Sequence, residues 1–498
     1  MMLKQKFVVQ YGSMAITQIV GMVAGIIVAR LAGPGAMGMV AYGTSYVSLL
    51  GFINGIFGSA HIKLVSEGRK HSECMAVFTR LQGICALIYF ISVLALFLIQ
   101  KYVIHYPFES REMEWIIIIA LLTSTFELYG QYANNVFTAN LQQAKANLPN
   151  FFKTIIFHIG RILIVIFFVK NLALKLYSWH LILAILFIPI IHRLLKEYHI
   201  GKYDNILAKQ YFKYGRAIFF MTVIDSVISY SDKLMLAHFT NTTQLGYYSA
   251  ANSIGGLILT IAGSAGLIFF PLFSGYISKG DWESVNTKIY QYHEFIILFI
   301  FPLICLLTII GGPILLLILG NKYKQSIIPF QILIFASYIS VVGMPYGNII
   351  TGMGKFNLAI IINIIRLVIF LISIYIFIAP GMLNLGAIGL AANQLVLNLT
   401  RNGLFLYFAN KLGEVRLKSK NNIRHIIIIS WTFLAYLISI YLKKFIPLWW
   451  LLMIPIYLIT LYLILNLTGF MKKEHWRLLL DTLNLKKTLK YAYNEIKG

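Results

Sequence analysis

Four charged side chains lie far from the ends of apolar runs: Glu127, Arg161, Asp225 and Arg366. At a rise of about 1.5 Å per residue, each sits near the midplane of a bilayer crossed by its helix. A charge there costs roughly 2.5–3.5 kcal/mol on insertion scales, so it must face a hydrated cavity or a partner. Arginine offers a permanent charge in a planar fork that matches phosphate oxygens. Arg161 and Arg366, with Arg30 and Lys233 toward the outer end, are therefore candidates for an electropositive path taken by an anionic headgroup. A desolvated carboxylate can instead exchange a proton as its surroundings change, coupling movement to a proton or sodium gradient. Glu127, Asp225 and Asp232 are the candidates for that coupling. A plainer reading pairs Arg161 with Glu127 or Asp225 and gives it only a structural role.

Helical phase indicates which residues travel with these charges. Thr222, Asp225, Ser229 and Asp232 recur at helical spacing and predict one stripe. Glu127 shares a face with Gln131 and Asn134, Arg161 with Thr154 and His158, and Asn363 lies one turn before Arg366. Four polar stripes on four apolar segments predict a common hydrated cavity. His158 is a candidate for contact with whatever enters it, and equally for a hydrogen bond within the bundle.

The elements that carry these residues follow from composition. The chain has 498 residues, of which 59% are hydrophobic and 12% charged, and a mean hydropathy of +0.77. A soluble domain carries roughly twice that share of charge. The sequence predicts an all-α polytopic membrane protein. Its spans fall at roughly 7–30, 37–60, 80–100, 115–138, 152–170, 176–192, 213–237, 245–272, 293–319, 327–350, 357–379, 384–409, 425–442 and 447–470, about fourteen in all. The net charge of +25 comes mostly from Lys and Arg in loops on one side. That bias predicts both termini in the cytoplasm and gives the charge a topological meaning rather than a nucleic-acid partner. The three cysteines, Cys74, Cys85 and Cys305, imply neither a disulfide nor a metal set. Polar residues within the N-terminal run mark it as a span rather than a cleaved signal.

The longest outer loop, "KYVIHYPFESREME" at 101–114, leaves no room for a catalytic domain. No P-loop, H-E-x-x-H or Ser/His/Asp set is present, and no cofactor is expected. An internal repeat is expected. Tyr11-Gly12 matches Tyr214-Gly215, "KANL" at 145–148 matches "KFNL" at 355–358, and Arg161 falls against Arg366, all at closely similar offsets. The expected divisions are a six-helix bundle at 1–200, a parallel one at 201–412, two further spans within 413–470, and a tail at 471–498. In the tail, Trp476 and several leucines alternate with Lys and Arg. That pattern predicts an amphipathic helix on an anionic surface, with a solvated tail as the alternative. Gly21 with Gly25, and Gly51 with Gly55, have the spacing of close helix packing.

Residues 9–69, from "VQYGSMAITQ" to "IKLVSEGR", resemble the start of Wzx-type O-antigen and polysaccharide flippases. "SYSDKLMLAHFTNTTQLGYYSAANSI" resembles the start of that family's second half. The group belongs to the multidrug/oligosaccharidyl-lipid/polysaccharide (MOP) exporter superfamily. The resemblance implies a MATE-like fold, two six-helix bundles in a V around a central cationic cavity, with two C-terminal helices forming a groove for a lipid tail. It further implies a non-enzymatic flippase of the bacterial cytoplasmic membrane. This would carry undecaprenyl-diphosphate-linked oligosaccharide by alternating access, with polysaccharide polymerases as candidate partners. On that reading Tyr230 and Asn252, along with His158 and Asn363, are candidates for sugar contacts. The first span lacks the acidic residue that often couples cations in the multidrug branch. A cation-coupled drug exporter of the same fold, and more remotely a polysaccharide polymerase, are the alternatives.

Overall fold

The computed structural model describes residues 2–105, 107–415, 419–474 and 476. Its elements are helical throughout these residues. The first half of the chain forms α1 (Met2–Ser48), α2 (Phe52–Gly55), α3 (Gly58–Ser66), α4 (His71–Leu98), α5 (Arg111–Ala139), α6 (Gln143–Phe167), α7 (Leu172–Leu195) and α8 (Asn205–Phe239). The second forms α9 (Thr242–Ser278), α10 (Trp282–Phe295), α11 (Phe301–Leu319) and α12 (Ile327–Gly352). It continues with α13 (Phe356–Ile378), α14 (Ala387–Gly413), α15 (Ser419–Phe445) and α16 (Trp449–Leu467). Every run expected from hydropathy has a helical counterpart. Among the described residues, 10 helical stretches are long and apolar enough to cross a membrane. That number is below the expected count partly because α1 carries two runs. In addition, α8 and α14 interrupt their apolar faces, α8 with Asp225, Asp232 and Lys233, and α14 with Asn393, Asn398 and Arg401. The expected surface helix of the tail lies, from 477 on, outside the described residues.

The breaks have local causes. Gly33 has φ 81° and ψ 170°, a conformation that L side chains disfavour, and Pro34 follows with no N–H to donate. The two together kink α1 between its apolar runs. Ser110 and Asp281 cap α5 and α10 by accepting from the N–H groups of Met113 and Ser284, at 3.2 and 3.0 Å. Outside the membrane-spanning residues, those same Ser284 hydrogen bonds hold the Asp281 carboxyl below its ordinary range. Single π-helical turns extend α4 at Ile99–Val103 and join α10 to α11 at Ile296–Ile300.

By packing, the chain divides into two compact units. One comprises Met1–Ala250 with Phe370–Leu390, and the other Ala251–Ile369 with Ala391–Gly498. In the first unit, α1, α4, α5 and α7 meet around Tyr46, Val93, Ile116 and Tyr177. A second cluster joins α3, α4 and α8, where His61 stacks on Phe78 with ring centroids 4.2 Å apart and its Nδ1 lies 2.8 Å from the Tyr211 hydroxyl. Among the described residues α8 packs against α1, α2, α3 and α4. In the second unit, Phe273, Ile289, Ile349, Ile362 and Phe405 form the core, and α15 and α16 pack together against α11.

Candidate functional site

A cavity of about 800 Å³ opens within the first unit. Helical periodicity aims a polar stripe at it from each of three helices. Thr123, Ser124, Glu127 and Gln131 come from α5; Asn150, Lys153, Thr154 and His158 from α6; and Thr222, Ser226 and Tyr230 from α8. Thr44 and Ser48 of α1, Asn54 of α2, Tyr89 of α4, and Tyr177 and His180 of α7 complete its polar lining, with Phe52 and Phe157 among the apolar residues.

The charges of the cavity are gathered at one point. Lys153 Nζ donates to Glu127 Oε1, and His180 Nε2 lies 3.2 Å from the same oxygen. The Lys153 side chain is only 13% exposed, so its charge is held mainly by this carboxylate. Hydroxyls nearby are tied down: Tyr89 donates to the Val47 carbonyl at 3.0 Å and lies 2.9 Å from the Ser124 hydroxyl. Among the described residues, two enclosed polar atoms of the lining side chains, Asn54 Oδ1 and His158 Nδ1, have no hydrogen-bond partner.

Of the candidates read from sequence, Glu127, His158 and Tyr230 line this cavity. Arg161 does not. Its guanidinium lies over the Phe157 ring, 5.2 Å from the centroid, and Glu127, one of the two carboxylates expected to pair with it, is held by Lys153. Arg30 is exposed. Lys233 Nζ donates to the Ser229 carbonyl at 3.0 Å and lies over the Tyr230 ring. The stripe expected from Thr222 to Asp232 does not share one environment. Thr222 lines the cavity, Asp225 and Ser229 are exposed, and Asp232 is buried and accepts from the Lys233 N–H at 2.6 Å. The cavity-facing stripe of α8 is Thr222, Ser226 and Tyr230 instead. Arg366 is buried in the second unit, Asn363 is half-buried one turn before it, and Asn252 of the same unit is exposed.

The profile of the polysaccharide biosynthesis protein family matches residues 27–328, more than half of the chain, a stretch that includes every residue named above as lining the cavity. The chain belongs to that family. A curated relative, the uncharacterized membrane protein MJ1068 of Methanocaldococcus jannaschii, is 22% identical over 158 residues, which are 32% of this chain and 31% of that protein. The match thus spans about a third of the relative's length. Among solved structures, the lipid II flippase MurJ in an inward closed conformation aligns at 15% identity with a TM-score of 0.68, covering 92% of this chain and 98% of that one. An inward-facing multidrug resistance MATE transporter of the MOP superfamily aligns at 14% identity with a TM-score of 0.59, covering 80% and 95%. This member of the polysaccharide biosynthesis protein family is an all-helical, multi-pass membrane protein with the fold shared by those structures.

Sequence reasoning missed Lys153, His180, Asn150 and Asn54. Hydropathy starts the fifth span near 152, which makes Lys153 a span end, yet α6 begins at Gln143. The available signal was spacing. Asn150, Lys153, Thr154, Phe157 and His158 recur at three and four residues and form one face.

Proposed function

We propose that this polysaccharide biosynthesis family protein is a flippase of the Wzx type. It carries undecaprenyl-diphosphate-linked oligosaccharide from the inner to the outer leaflet of the bacterial cytoplasmic membrane by alternating access. The observation that carries this reading is the cavity: a space lined by amide, hydroxyl and imidazole groups inside an otherwise apolar helical unit. Sugar hydroxyls lose their water on entering hydrocarbon, at a cost of several kcal/mol for each group left without a partner. A protein that moves such a headgroup must supply replacement partners, and these side chains are of that kind. The polyprenyl tail needs no such route and can stay in or beside the bilayer, with α15 and α16 as its proposed groove. Arg30, Arg161, Lys233 and Arg366 are proposed to attract the diphosphate along its path. Glu127, Asp225 and Asp232 are proposed for ion coupling.

The test is genetic and chemical. The gene is deleted in its host, and the strain is complemented with the wild type or with Arg161→Ala/Arg366→Ala, with both proteins checked for membrane insertion. The expected result is loss of surface polymer, with single lipid-linked repeat units trapped on the inner leaflet and rescue by the wild type alone. Normal polymer with altered drug sensitivity would overturn the reading in favour of a cation-coupled exporter.

A further inference from the structure

The beginning of α8 exposes a face that suits neither water nor hydrocarbon. Ile206, Lys209, Phe212, Lys213, Arg216 and Phe220 fall on one side of the helix by their spacing. All six are exposed, and the apolar ones strongly so: Ile206 at 72%, Phe212 at 56% and Phe220 at 55%. The opposite side is fixed. Leu207, Ala208 and Tyr211 are buried in the cluster that holds Phe57, Cys74 and Phe78. Packing therefore decides which side of α8 is presented outward.

The exposed side carries three cations and no anion. The carboxylates near it in sequence are engaged elsewhere: Asp204 accepts from the Ile206 N–H at 2.8 Å, and Glu197 pairs with Lys145. Among the described residues no ion pair includes Lys209, Lys213 or Arg216. Their charge is available to a group from outside the chain.

Helix length gives the depth. The 35 residues of α8 extend about 52 Å, against a hydrocarbon core about 30 Å thick. The apolar run expected at 213–237 leaves most of the surplus at the N-terminal end, on the side that the charge bias assigns to the cytoplasm. Arg216 and Lys213 then lie at the edge of the hydrocarbon and Lys209 beyond it. At such a boundary the rings can rest on acyl chains while the long basic side chains reach the headgroups.

We propose that this face of α8 docks the anionic phospholipid headgroups of the inner leaflet, with Lys209, Lys213 and Arg216 holding lipid phosphates. Ile206, Phe212 and Phe220 cover the adjoining acyl chains. An acidic cytosolic protein would match the cations but not the apolar residues set among them. The inference goes beyond the flippase reading and holds for any cargo.

The test titrates the purified full chain in detergent with phosphatidylglycerol or phosphatidylcholine and counts bound lipid by native mass spectrometry. The wild type should prefer phosphatidylglycerol. Lys209→Gln should weaken phosphatidylglycerol binding about fivefold, and Lys209→Gln/Lys213→Gln/Arg216→Gln should bind the two lipids alike. Lys63→Gln/Lys70→Gln removes two lysines already paired with Glu67 and Glu73, and should keep the wild-type preference. Thermal unfolding checks that the triple variant folds, and Lys209→Gln alone decides the matter if it does not. A wild type that treats the two lipids alike would overturn the proposal, as would a preference that survives the substitutions. Wild-type binding of polyglutamate, lost in the triple variant without any lipid preference, would assign the surface to an acidic protein instead.

Discussion

Arg424 of α15 and Glu294 of α10 form a buried ion pair, with Nη2 2.5 Å from Oε1 and side chains 1% and 16% exposed. The same guanidinium donates to Asn421 Oδ1 at 3.2 Å and to the Phe470 carbonyl at 3.0 Å. One residue on, His425 Nε2 lies 2.5 Å from the Tyr338 hydroxyl of α12. From α16, the Tyr462 hydroxyl donates to the Leu298 carbonyl at 3.1 Å, within the π-helical turn that follows Glu294. A π-turn shifts the helical hydrogen-bond pattern, and here Tyr462 engages one of its carbonyls. Polar contacts in a dry setting thus bind α15 and α16 to α10 and α12 within the second unit.

The pair gives an ordered prediction. Removing one member of a buried ion pair strands the other charge and costs about 3–5 kcal/mol, while replacing both by apolar residues is often neutral. Arg424→Met and Glu294→Leu should each lower the thermal unfolding midpoint in detergent sharply. The double variant Arg424→Met/Glu294→Leu should recover most of the loss. A double variant less stable than either single would mean that Arg424 acts mainly through Asn421 and Phe470.

Arg424 also shows where the sequence was opaque. Hydropathy starts its span near 425, leaving this arginine in a loop, yet α15 begins at Ser419. Lys153 was misplaced in the same way. Helices here begin well before the apolar run, and these polar N-terminal stretches hold the charges that become buried partners. The apolar runs themselves, and hence the helices, were legible because hydrocarbon demands them. Arg366 is 9% exposed on α13. The cavity-facing side of α8 was not legible. A 3.6-residue period admits two adjacent stripes, Thr222–Asp225–Ser229 and Thr222–Ser226–Tyr230, and packing against α1, α2 and α3 selects the second.

Of the glycines whose spacing predicts close packing, Gly21 meets α6, where an added Cβ would lie 3.1 Å from His158 Nε2, and tighter approaches lie elsewhere. Around Gly25 and Gly55 an added Cβ would meet nothing within 4 Å. At Gly246 of α9 it would lie 1.9 Å from the Pro34 carbonyl oxygen, and at Gly38 of α1 it would lie 1.7 Å from that of Thr242. Both obstacles are backbone, so the helices would have to separate. Overpacking of this kind costs typically 1–3 kcal/mol and can cost more. Gly246→Ala and Gly38→Ala should reduce the folded, monodisperse yield in size-exclusion chromatography, while Gly25→Ala should match the wild type. Equal yields across all three would show that α1 and α9 can part without loss.

The Glu127–Lys153–His180 cluster predicts an asymmetry between its members. Glu127→Gln leaves Lys153, mostly shielded from solvent, with no anion beside it. Lys153→Met leaves Glu127 with His180 Nε2 still 3.2 Å from its Oε1 as a hydrogen-bond partner. Glu127→Gln should therefore cost more stability, on the order of 1–3 kcal/mol, less than a fully buried pair because the cavity admits water. The double variant Glu127→Gln/Lys153→Met should return toward wild-type stability. Thermal unfolding of the three proteins checks the order, and surface-polymer staining of complemented strains then isolates function. A stable double variant that supports export would make the pair structural. A stable one that does not would assign the carboxylate to cargo binding or coupling, because its loss would then matter with no buried charge left stranded.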